Sequence, residues 1–439
     1  MQRPLFPFTM AVMKIPLLVI TAVLSAAAAP APDVAALRGT ITALVGFGTR
    51  HTASSATDPK RGIGAARAWT AARFGATAKT CGGCLAVETI GDNFSGPRAP
   101  AGVRVEDVIA VQRGSGDPAH VVIVQAHIDS RVSDPADATA DAPGADDDAS
   151  GVALVLEAAR LLSREKFAAT VVYAVLSGKE QGLWGGQLLA RTAKARGWQV
   201  AAVLNNDIVG GTHGIGGEHV DTRVRVFSEG IRAAADAAGI KAQRSTGGED
   251  DSPSRALAKA VKRIAAASGG LDVLAVRRPD RFQRGGDHLP FLDAGYPAVR
   301  FTEATEHYDR QHQDLRTEGT RRYGDTIEFI DFPYLARVTA LNVAVIRELA
   351  RAPAAPAGVT ISGAVSDDTR VTWVAVPGAA GYRVYWRRAD GADWTDHRDV
   401  AATALDLPKV NIDDHFFGVA SRAADGSESL VSFAGPASR

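Results

Sequence analysis

The sequence predicts an α/β fold, with a mostly parallel central sheet flanked by helices, followed by a small all-β sandwich. Two observations carry this prediction. Short, continuous apolar runs alternate with helical stretches over most of the chain, which is the pattern of a parallel sheet covered on both faces. After a stretch rich in Pro and Ala, apolar and polar residues alternate between turn residues, which is typical of a β-sandwich.

Each predicted element of the first domain follows from its apolar pattern. The predicted strands are the apolar runs at residues 120–125, 168–176, 200–205, 223–228, 272–276 and 298–302. Helices are predicted where apolar residues recur with helical spacing, at residues 34–45, 63–74, 151–162, 183–191, 230–238, 254–267 and 332–351. Because 439 residues exceed one ordinary core, we expect an α/β domain at 30–351, a linker at 352–358 and a β domain at 359–439.

The β domain has predicted strands at residues 369–374, 381–386 and 415–420. Its candidate core residues are the large apolar side chains of this region: Trp373, Tyr382, Val384, Leu405, Phe417 and Val419. The segments 371–373, 381–385 and 417–421, which read VTW, GYRVY and FGVAS, resemble those of a fibronectin type III domain. That resemblance implies a structural or adhesive role.

The charge balance and the first residues bear on partners and location. Lys plus Arg and Asp plus Glu both number 49, so there is no long-range basic field that would attract nucleic acid. Lys14, the apolar run at 15–24 and the small residues at 25–30 predict a secretory signal peptide over residues 1–29. We therefore expect export to the periplasm or the cell exterior, and a mature monomer without a membrane span. A retained N-terminal anchor is the alternative.

The chain has two cysteines, Cys81 and Cys84, in the sequence Cys-Gly-Gly-Cys. In an exported protein, a local structural disulfide is the simplest interpretation of this spacing. Free thiols or a redox role are the alternatives, since the same spacing in a cytosolic protein suggests redox or metal chemistry.

Polar side chains that can bind metal follow the predicted strands. His127 and Asp129 come directly after the run 120–125, and Glu180 follows the run 168–176. Asp207 follows the run 200–205, and Asp147 lies in an acidic segment that leads into a predicted helix. The carboxyl ends of parallel strands meet at one edge of a sheet, which is where ligands bind in open α/β folds.

These residue types suit a site for two metal ions. Such a site needs nitrogen and oxygen ligands, with one carboxylate that bridges the ions. One ion would take His127 and Asp207, the other Glu180 and a second His, and Asp147 would bridge them. Asp129 is placed to orient the His127 imidazole.

The region from about residue 120 to 315 resembles the co-catalytic zinc aminopeptidases of the M28 family. The family's successive motifs are matched in order by His127-Ile-Asp129, by residues 144–151 (GADDDASG), by Glu180-Gln-Gly and by Asp207. The resemblance implies two zinc ions bound by these residues, with a cis peptide between Asp147 and Asp148. It also implies that the substrates are peptide or protein N-termini.

The last ligand is a late His, for which His288, His307 and His312 are the candidates. The family's site ends with a His shortly followed by Asp, and His312-Gln-Asp314 fits that best. Asp287 and His288 match a family segment near the site, so we predict that they contact substrate. Tyr308, beside the proposed ligand loop, is a further candidate contact, with packing as the alternative role.

Lys179 departs from the family pattern. In the family this position is a Glu that acts as general base, and loss of a positioned base typically costs roughly a hundred- to ten-thousand-fold in rate. Beside two dications, we expect the pKa of Lys179 to be lowered.

Two hypotheses follow from Lys179. The first is a zinc-dependent exopeptidase, most simply an aminopeptidase, in which Lys179 or another residue such as Glu303 or Glu306 serves as base. The second is a catalytically weak or inactive metal-binding pseudopeptidase that acts as a peptide-binding or structural module. Within the enzyme class, a carboxypeptidase or a single-zinc relative similar to cyclases remains open.

Overall fold

The computed structural model describes residues 31–437, so the predicted signal peptide lies outside the described residues. The first domain is built on one sheet of eight strands. These strands are β1 (Ala86–Gly96), β2 (Ala99–Gln112), β3 (His120–His127), β4 (Thr170–Leu176), β5 (Gln199–Asn206), β6 (Arg223–Phe227), β7 (Asp272–Val276) and β8 (Ala298–Glu303).

The sheet is parallel at its centre and mixed as a whole. Its strand order is β1-β2-β4-β3-β5-β8-β6-β7. The central strands β4, β3, β5 and β8 are parallel to their neighbours in this group. The β1–β2 hairpin pairs antiparallel to β4, and β6 pairs antiparallel to β8. The predicted α/β fold is confirmed, and its longest parallel part is the group of four central strands that carry the site, while β6 and β7 form a second parallel pair.

Helices cover both faces of this sheet. They are α1 (Val34–Val45), α2 (Ile63–Thr80), α3 (Ala149–Leu162), α4 (Lys179–Gly182), α5 (Trp184–Ala195), α6 (Ala237–Thr246), α7 (Pro253–Ser268), α8 (Leu289–Asp293) and α9 (Phe332–Arg351). Val122 and Val124 of β3 pack into the larger core, which includes α1, α3, α7 and α9. Val121 and Ile123 pack into a second core with α5 and α8. Successive residues of a strand point to opposite faces, so a continuous apolar run serves both cores.

The prediction missed the β1–β2 hairpin and misplaced one helix. Most residues of β1 are exposed or only half-buried, so its sequence lacks the apolar pattern on which strand prediction depends. The helix predicted at 230–238 is wrong, because the helical segment is α6, which begins after Asp236. The Asp236 carboxylate accepts a hydrogen bond from the Gly239 N–H and so caps that helix.

The C-terminal part consists of two four-stranded β-sheets. The strands of these sheets include β12 (Thr369–Thr372), β13 (Gly381–Arg388), β15 (Ala404–Leu407) and β16 (His415–Arg422). The two short strands β9 (Arg316–Glu318) and β10 (Arg321–Tyr323) precede them in the chain and form a separate two-stranded sheet. The remaining strands are β11 (Thr360–Ser362), β14 (Asp396–Val400), β17 (Ser432–Phe433) and β18 (Gly435–Pro436). Of the predicted core residues, Leu405 is only partly buried and the other five are buried.

Two further features concern the predictions on cysteines and membrane spans. Cys81 and Cys84 form a disulfide at the end of α2, as predicted. Between residues 31 and 437, none of the helices is both long enough and apolar enough to cross a membrane.

A buried ion pair joins the β-sandwich to the α/β domain. The Arg387 guanidinium lies 2.5 Å from the Asp251 carboxylate, and both side chains are almost fully buried. Lys259 of α7 binds the other oxygen of Asp251, also at 2.5 Å. The Arg387 guanidinium also stacks on the Phe416 ring, 4.4 Å from its centroid. Charges removed from water are stable only when paired in this way, so the two parts are fixed to each other at this point.

We predict that Arg387→Met lowers the free energy of unfolding by at least about 2 kcal/mol, because it leaves a buried carboxylate with one partner fewer. Arg370→Met is the matched control, since it removes an Arg–Asp pair from the exposed surface of the same sandwich. Its effect should stay below about 1 kcal/mol. Urea unfolding measures both, and equal effects of the two substitutions would contradict the structural role of the buried pair.

Candidate metal centre

The five predicted ligands come from separate loops at the carboxyl edge of the central strands. His127 is the last residue of β3, and Asp207 directly follows β5. After β4 the chain turns at Gly178, whose φ of 79° favours glycine, and Glu180 lies in the short helix α4 that follows. Asp147 precedes α3, and His312 lies in the loop after β8. The parallel arrangement of β4, β3 and β5 brings three of these loops side by side.

The structure places the five side chains in two groups that share Asp147. In the first group, His127 Nε2 lies 3.1 Å from Asp147 Oδ1 and 3.8 Å from Asp207 Oδ2. In the second, His312 Nε2 lies 2.8 Å from Asp147 Oδ2 and 3.1 Å from Glu180 Oε1. Within each group, one ligand atom from every residue lies within 4.8 Å of the others. This is the arrangement in which Asp147 could bridge two ions.

The hydrogen-bonding state of these atoms fits a metal ligand set. His127 Nε2, Asp147 Oδ2 and Asp207 Oδ2 are buried and have no aligned hydrogen-bond partner among the described residues. Leaving buried polar atoms unsatisfied costs free energy, which a bound cation would recover. Imidazole nitrogens and carboxylate oxygens are ligands that zinc accepts. The residues present therefore fit a zinc centre.

Asp129 lies directly behind the ligands. Its Oδ2 accepts a hydrogen bond from the Glu180 N–H at 2.9 Å and one from the Thr52 hydroxyl at 3.2 Å. The His127 Nδ1 is 3.0 Å from the backbone oxygen of Asp129 and 3.5 Å from its carboxylate. Asp129 thus contacts both His127 and the helix turn that carries Glu180, and its backbone oxygen is the nearer contact of the imidazole.

The loop that carries Asp147 is held by two other carboxylates. The peptide bond between Asp147 and Asp148 is cis, in agreement with the family pattern. Asp148 accepts hydrogen bonds from the Gly151 N–H and the His127 N–H. Asp325 accepts hydrogen bonds from the N–H groups of Asp146 and Asp147, a contact that no sequence pattern indicated. Burial and the nearby Asp146 raise the pKa of Asp325 to about 7.

The Lys179 ammonium lies among the ligand carboxylates. Its Nζ is 2.9 Å from Glu180 Oε1, 3.3 Å from Asp147 Oδ1 and 3.6 Å from Asp207 Oδ2. Burial lowers the pKa of Lys179, but these three carboxylates outweigh burial and raise that pKa above its ordinary value. The sequence analysis expected the pKa of Lys179 to be lowered by two neighbouring dications. The protein groups around Lys179 have the opposite effect on this pKa. The pKa of Asp147, which burial alone would raise, is held well below its usual range by Lys179 and His312.

Two arginines that the sequence analysis missed also bind ligand carboxylates. Arg131 Nε lies 2.9 Å from Glu180 Oε2, and its Nη2 lies 2.7 Å from His312 Nδ1. Arg300, fully buried in β8, places its Nη2 2.7 Å from Asp207 Oδ1. A charged residue inside the apolar run 298–302 was a signal for a buried partner. Nothing in the sequence around Arg131 marked it.

The other predicted site residues lie outside the two groups. His288 is fully buried, and its Nε2 lies 2.7 Å from the backbone oxygen of Pro279. Asp287 is also buried and accepts a hydrogen bond from the Gly186 N–H, and burial raises the pKa of Asp287 to about 7. Tyr308 is 56% exposed. Contact of Asp287 or His288 with substrate, which stays a prediction, would require this segment to move.

The candidate replacement bases are engaged elsewhere. Glu306 forms ion pairs with three arginines: Arg225, Arg281 and Arg284. Glu303 is buried, and burial together with Asp146 raises its pKa well above its ordinary value. Neither carboxylate belongs to the ligand groups, so the described arrangement does not support either one as the base.

Comparison with known proteins identifies close relatives. A model of peptidase family M28 matches residues 107–331. A protein of Leptosphaeria maculans named "probable zinc metalloprotease" is 42% identical over 396 residues, which cover 89% of this chain and 91% of that protein. A protein of Pyricularia oryzae with the same description is 42% identical over 413 residues, covering 90% of this chain and 81% of that protein.

Solved structures share the fold. The Legionella pneumophila LapA aminopeptidase superposes with a TM-score of 0.52 at 18% identity, over 73% of this chain and 72% of that one. An aminopeptidase from Aneurinibacillus sp. strain AM-1 gives 0.51 at 15% identity, over 73% and 94%. A Porphyromonas gingivalis glutaminyl cyclase gives 0.50 at 19% identity, over 72% and 98%. At such low identities these likenesses concern the fold alone. The sequence matches go further, and by them this chain belongs to peptidase family M28.

Proposed function

We propose that this protein is a zinc-dependent exopeptidase, most simply an aminopeptidase that removes N-terminal residues from peptides. The observation that carries the proposal is the pair of three-residue ligand groups that share Asp147 in a chain of this family. The name "zinc metalloprotease" of the relatives favours zinc and peptide substrates. In this proposal the two groups are positions for two zinc ions, one formed by His127, Asp147 and Asp207 and the other by Asp147, Glu180 and His312.

Each residue has a defined role in this proposal. Zinc, when bound, supplies a Lewis acid that polarises the substrate carbonyl and acidifies water. Asp129 is a positioning residue, because it holds the His127 ring and the Glu180 backbone. Asp325 and Asp148 fix the loop that presents Asp147. Arg300 orients the Asp207 carboxylate through its Oδ1.

Lys179 supports a second candidate function, a catalytically weak or inactive metal-binding pseudopeptidase that acts as a peptide-binding or structural module. An ammonium has no lone pair with which to accept a proton, and the carboxylates around Lys179 favour the ammonium form. Metal binding and efficient peptide hydrolysis are therefore separate claims about this chain.

The remaining proposals concern location and organisation. We propose an exported, monomeric protein, and the disulfide between Cys81 and Cys84 is in keeping with an oxidising compartment. We also propose that residues 30–351 form the catalytic domain and that residues 359–439, after a linker at 352–358, form a fibronectin type III-like domain. The two facing four-stranded sheets are in keeping with that domain type.

The base position is tested by assaying the zinc-loaded wild type and Lys179→Glu with aminoacyl nitroanilides, and with N-acetylated forms of the same substrates. We expect the Glu variant to be roughly a hundred- to ten-thousand-fold faster, because it regains a carboxylate that can take a proton. Lys179→Met is the matched control, since it removes the ammonium without supplying a base.

Each outcome of this assay decides between the candidates. Activity confined to Lys179→Glu would favour the pseudopeptidase, whereas robust wild-type activity would exclude it. Cleavage of the N-acetylated substrates would contradict the aminopeptidase assignment. Inactivity of all three zinc-loaded proteins would count against a peptidase.

The positioning role of Asp129 predicts that Asp129→Ala weakens zinc binding about 10- to 100-fold, because the Glu180 N–H loses its carboxylate acceptor and the His127 ring keeps only the backbone oxygen. Competition with a chromogenic chelator measures the affinity. Asp141→Ala removes an exposed carboxylate of the same loop and should leave zinc affinity unchanged. Unchanged zinc affinity in a folded Asp129→Ala protein would refute the role.

A further inference from the structure

The two ligand groups differ in how far the protein's own cations hold their atoms. In the group of His127, Asp147 and Asp207, Lys179 Nζ lies 3.3 Å from Asp147 Oδ1 and 3.6 Å from Asp207 Oδ2. The His127 Nε2 and Asp207 Oδ2 atoms are nevertheless buried without an aligned hydrogen-bond partner. The Nδ1 of His127 lies 3.0 Å from the backbone oxygen of Asp129, which can only accept a hydrogen bond. Nδ1 therefore carries the proton of the neutral ring, and the Nε2 lone pair points into the centre.

In the second group, both oxygens of Glu180 already have cationic partners. Lys179 Nζ lies 2.9 Å from Oε1, and Arg131 Nε lies 2.9 Å from Oε2. The side chains of Lys179 and Glu180 are almost fully buried, and that of Arg131 is 13% exposed. Charge-assisted hydrogen bonds at such distances are among the stronger ones in proteins.

His312, the last ligand of the second group, contacts Arg131 through Nδ1, and its Nε2 faces the centre. A guanidinium can only donate hydrogen bonds, so His312 Nδ1, 2.7 Å from Arg131 Nη2, must accept. The neutral ring then carries its proton on Nε2, which hydrogen-bonds Glu180 Oε1 at 3.1 Å and lies 2.8 Å from Asp147 Oδ2. A metal ion would need the lone pair of that same Nε2, so binding at this position requires Arg131 to release His312.

We propose that Lys179 and Arg131 are built-in cations that take the place of the second metal ion. Together they bring two positive charges to the group of Asp147, Glu180 and His312, which equals the charge of one zinc ion. The first ion binds at His127, Asp147 and Asp207, and a second ion enters only by displacing both side chains. This inference rests on the proposed zinc centre and specifies its occupancy.

The test is a zinc titration of the metal-free full chain, by calorimetry with a competing chelator. The wild type should bind one ion tightly and a second at least about a hundredfold more weakly, as expected for a dication that must replace nearby charges. Arg131→Met should tighten the second step about tenfold or more and leave the first within about threefold. Lys179→Met should tighten the second step likewise and also the first, because Lys179 contacts Asp147 Oδ1 and Asp207 Oδ2 as well.

Arg98→Met is the matched control, because Arg98 is exposed and, between residues 31 and 437, donates only to the backbone oxygen of Glu180. It removes a nearby charge without freeing a ligand atom, so it should leave both steps unchanged. Two wild-type ions of similar affinity, or a second step that tightens as much in Arg98→Met as in the other variants, would overturn the inference. A chain that binds no zinc would overturn the proposed zinc centre itself. One tight ion with no gain in either test variant would overturn only the role of Lys179 and Arg131.

Discussion

The carboxylates of Asp147, Glu180 and Asp207 are buried together at one edge of the sheet, and their mutual repulsion has to be balanced by positive charge. Burial of unpaired charges is costly, so the arrangement persists only with cations beside it. Lys179 contacts all three carboxylates, Arg131 contacts Glu180, and Arg300 contacts Asp207. The rest of the centre is organised around this balance, and in our proposal Lys179 and Arg131 also limit how a metal ion can enter.

The fold brings these buried carboxylates together and also holds the loops that carry them in place. The parallel strands β4, β3 and β5 end at the same edge, so the loops after them must share a small volume. Asp129 and Asp325 accept hydrogen bonds from the backbone of these loops and fix where the ligand side chains point. The helices on either face keep the strands in place through two separate apolar cores. Membership of the M28 family accounts for the arrangement of the strands and loops. In our proposal, Lys179 and Arg131 then determine how many metal ions this arrangement binds tightly.

Much of the fold and of the ligand set could be predicted from the sequence, for physical reasons that differ between elements. Helices α1 and α9 have the predicted bounds, because a buried apolar stripe leaves a clear helical period. The five candidate ligands could be proposed because most of them follow apolar runs and because their order matches that of a known family. Strand β1 was missed because it lies exposed at the sheet edge. Arg131 was missed because its partners, Glu180 and His312, are distant in the sequence, and such contacts exist only in the folded chain.

The central claim is that the two metal positions differ because Lys179 and Arg131 already hold one of them. The most direct measurement is a crystal structure of the full chain with one equivalent of zinc, with anomalous diffraction recorded at the zinc edge. We expect one anomalous peak among His127, Asp147 and Asp207, with the Lys179 ammonium still beside Glu180. Two peaks of equal height, or a single peak between Glu180 and His312, would contradict the account.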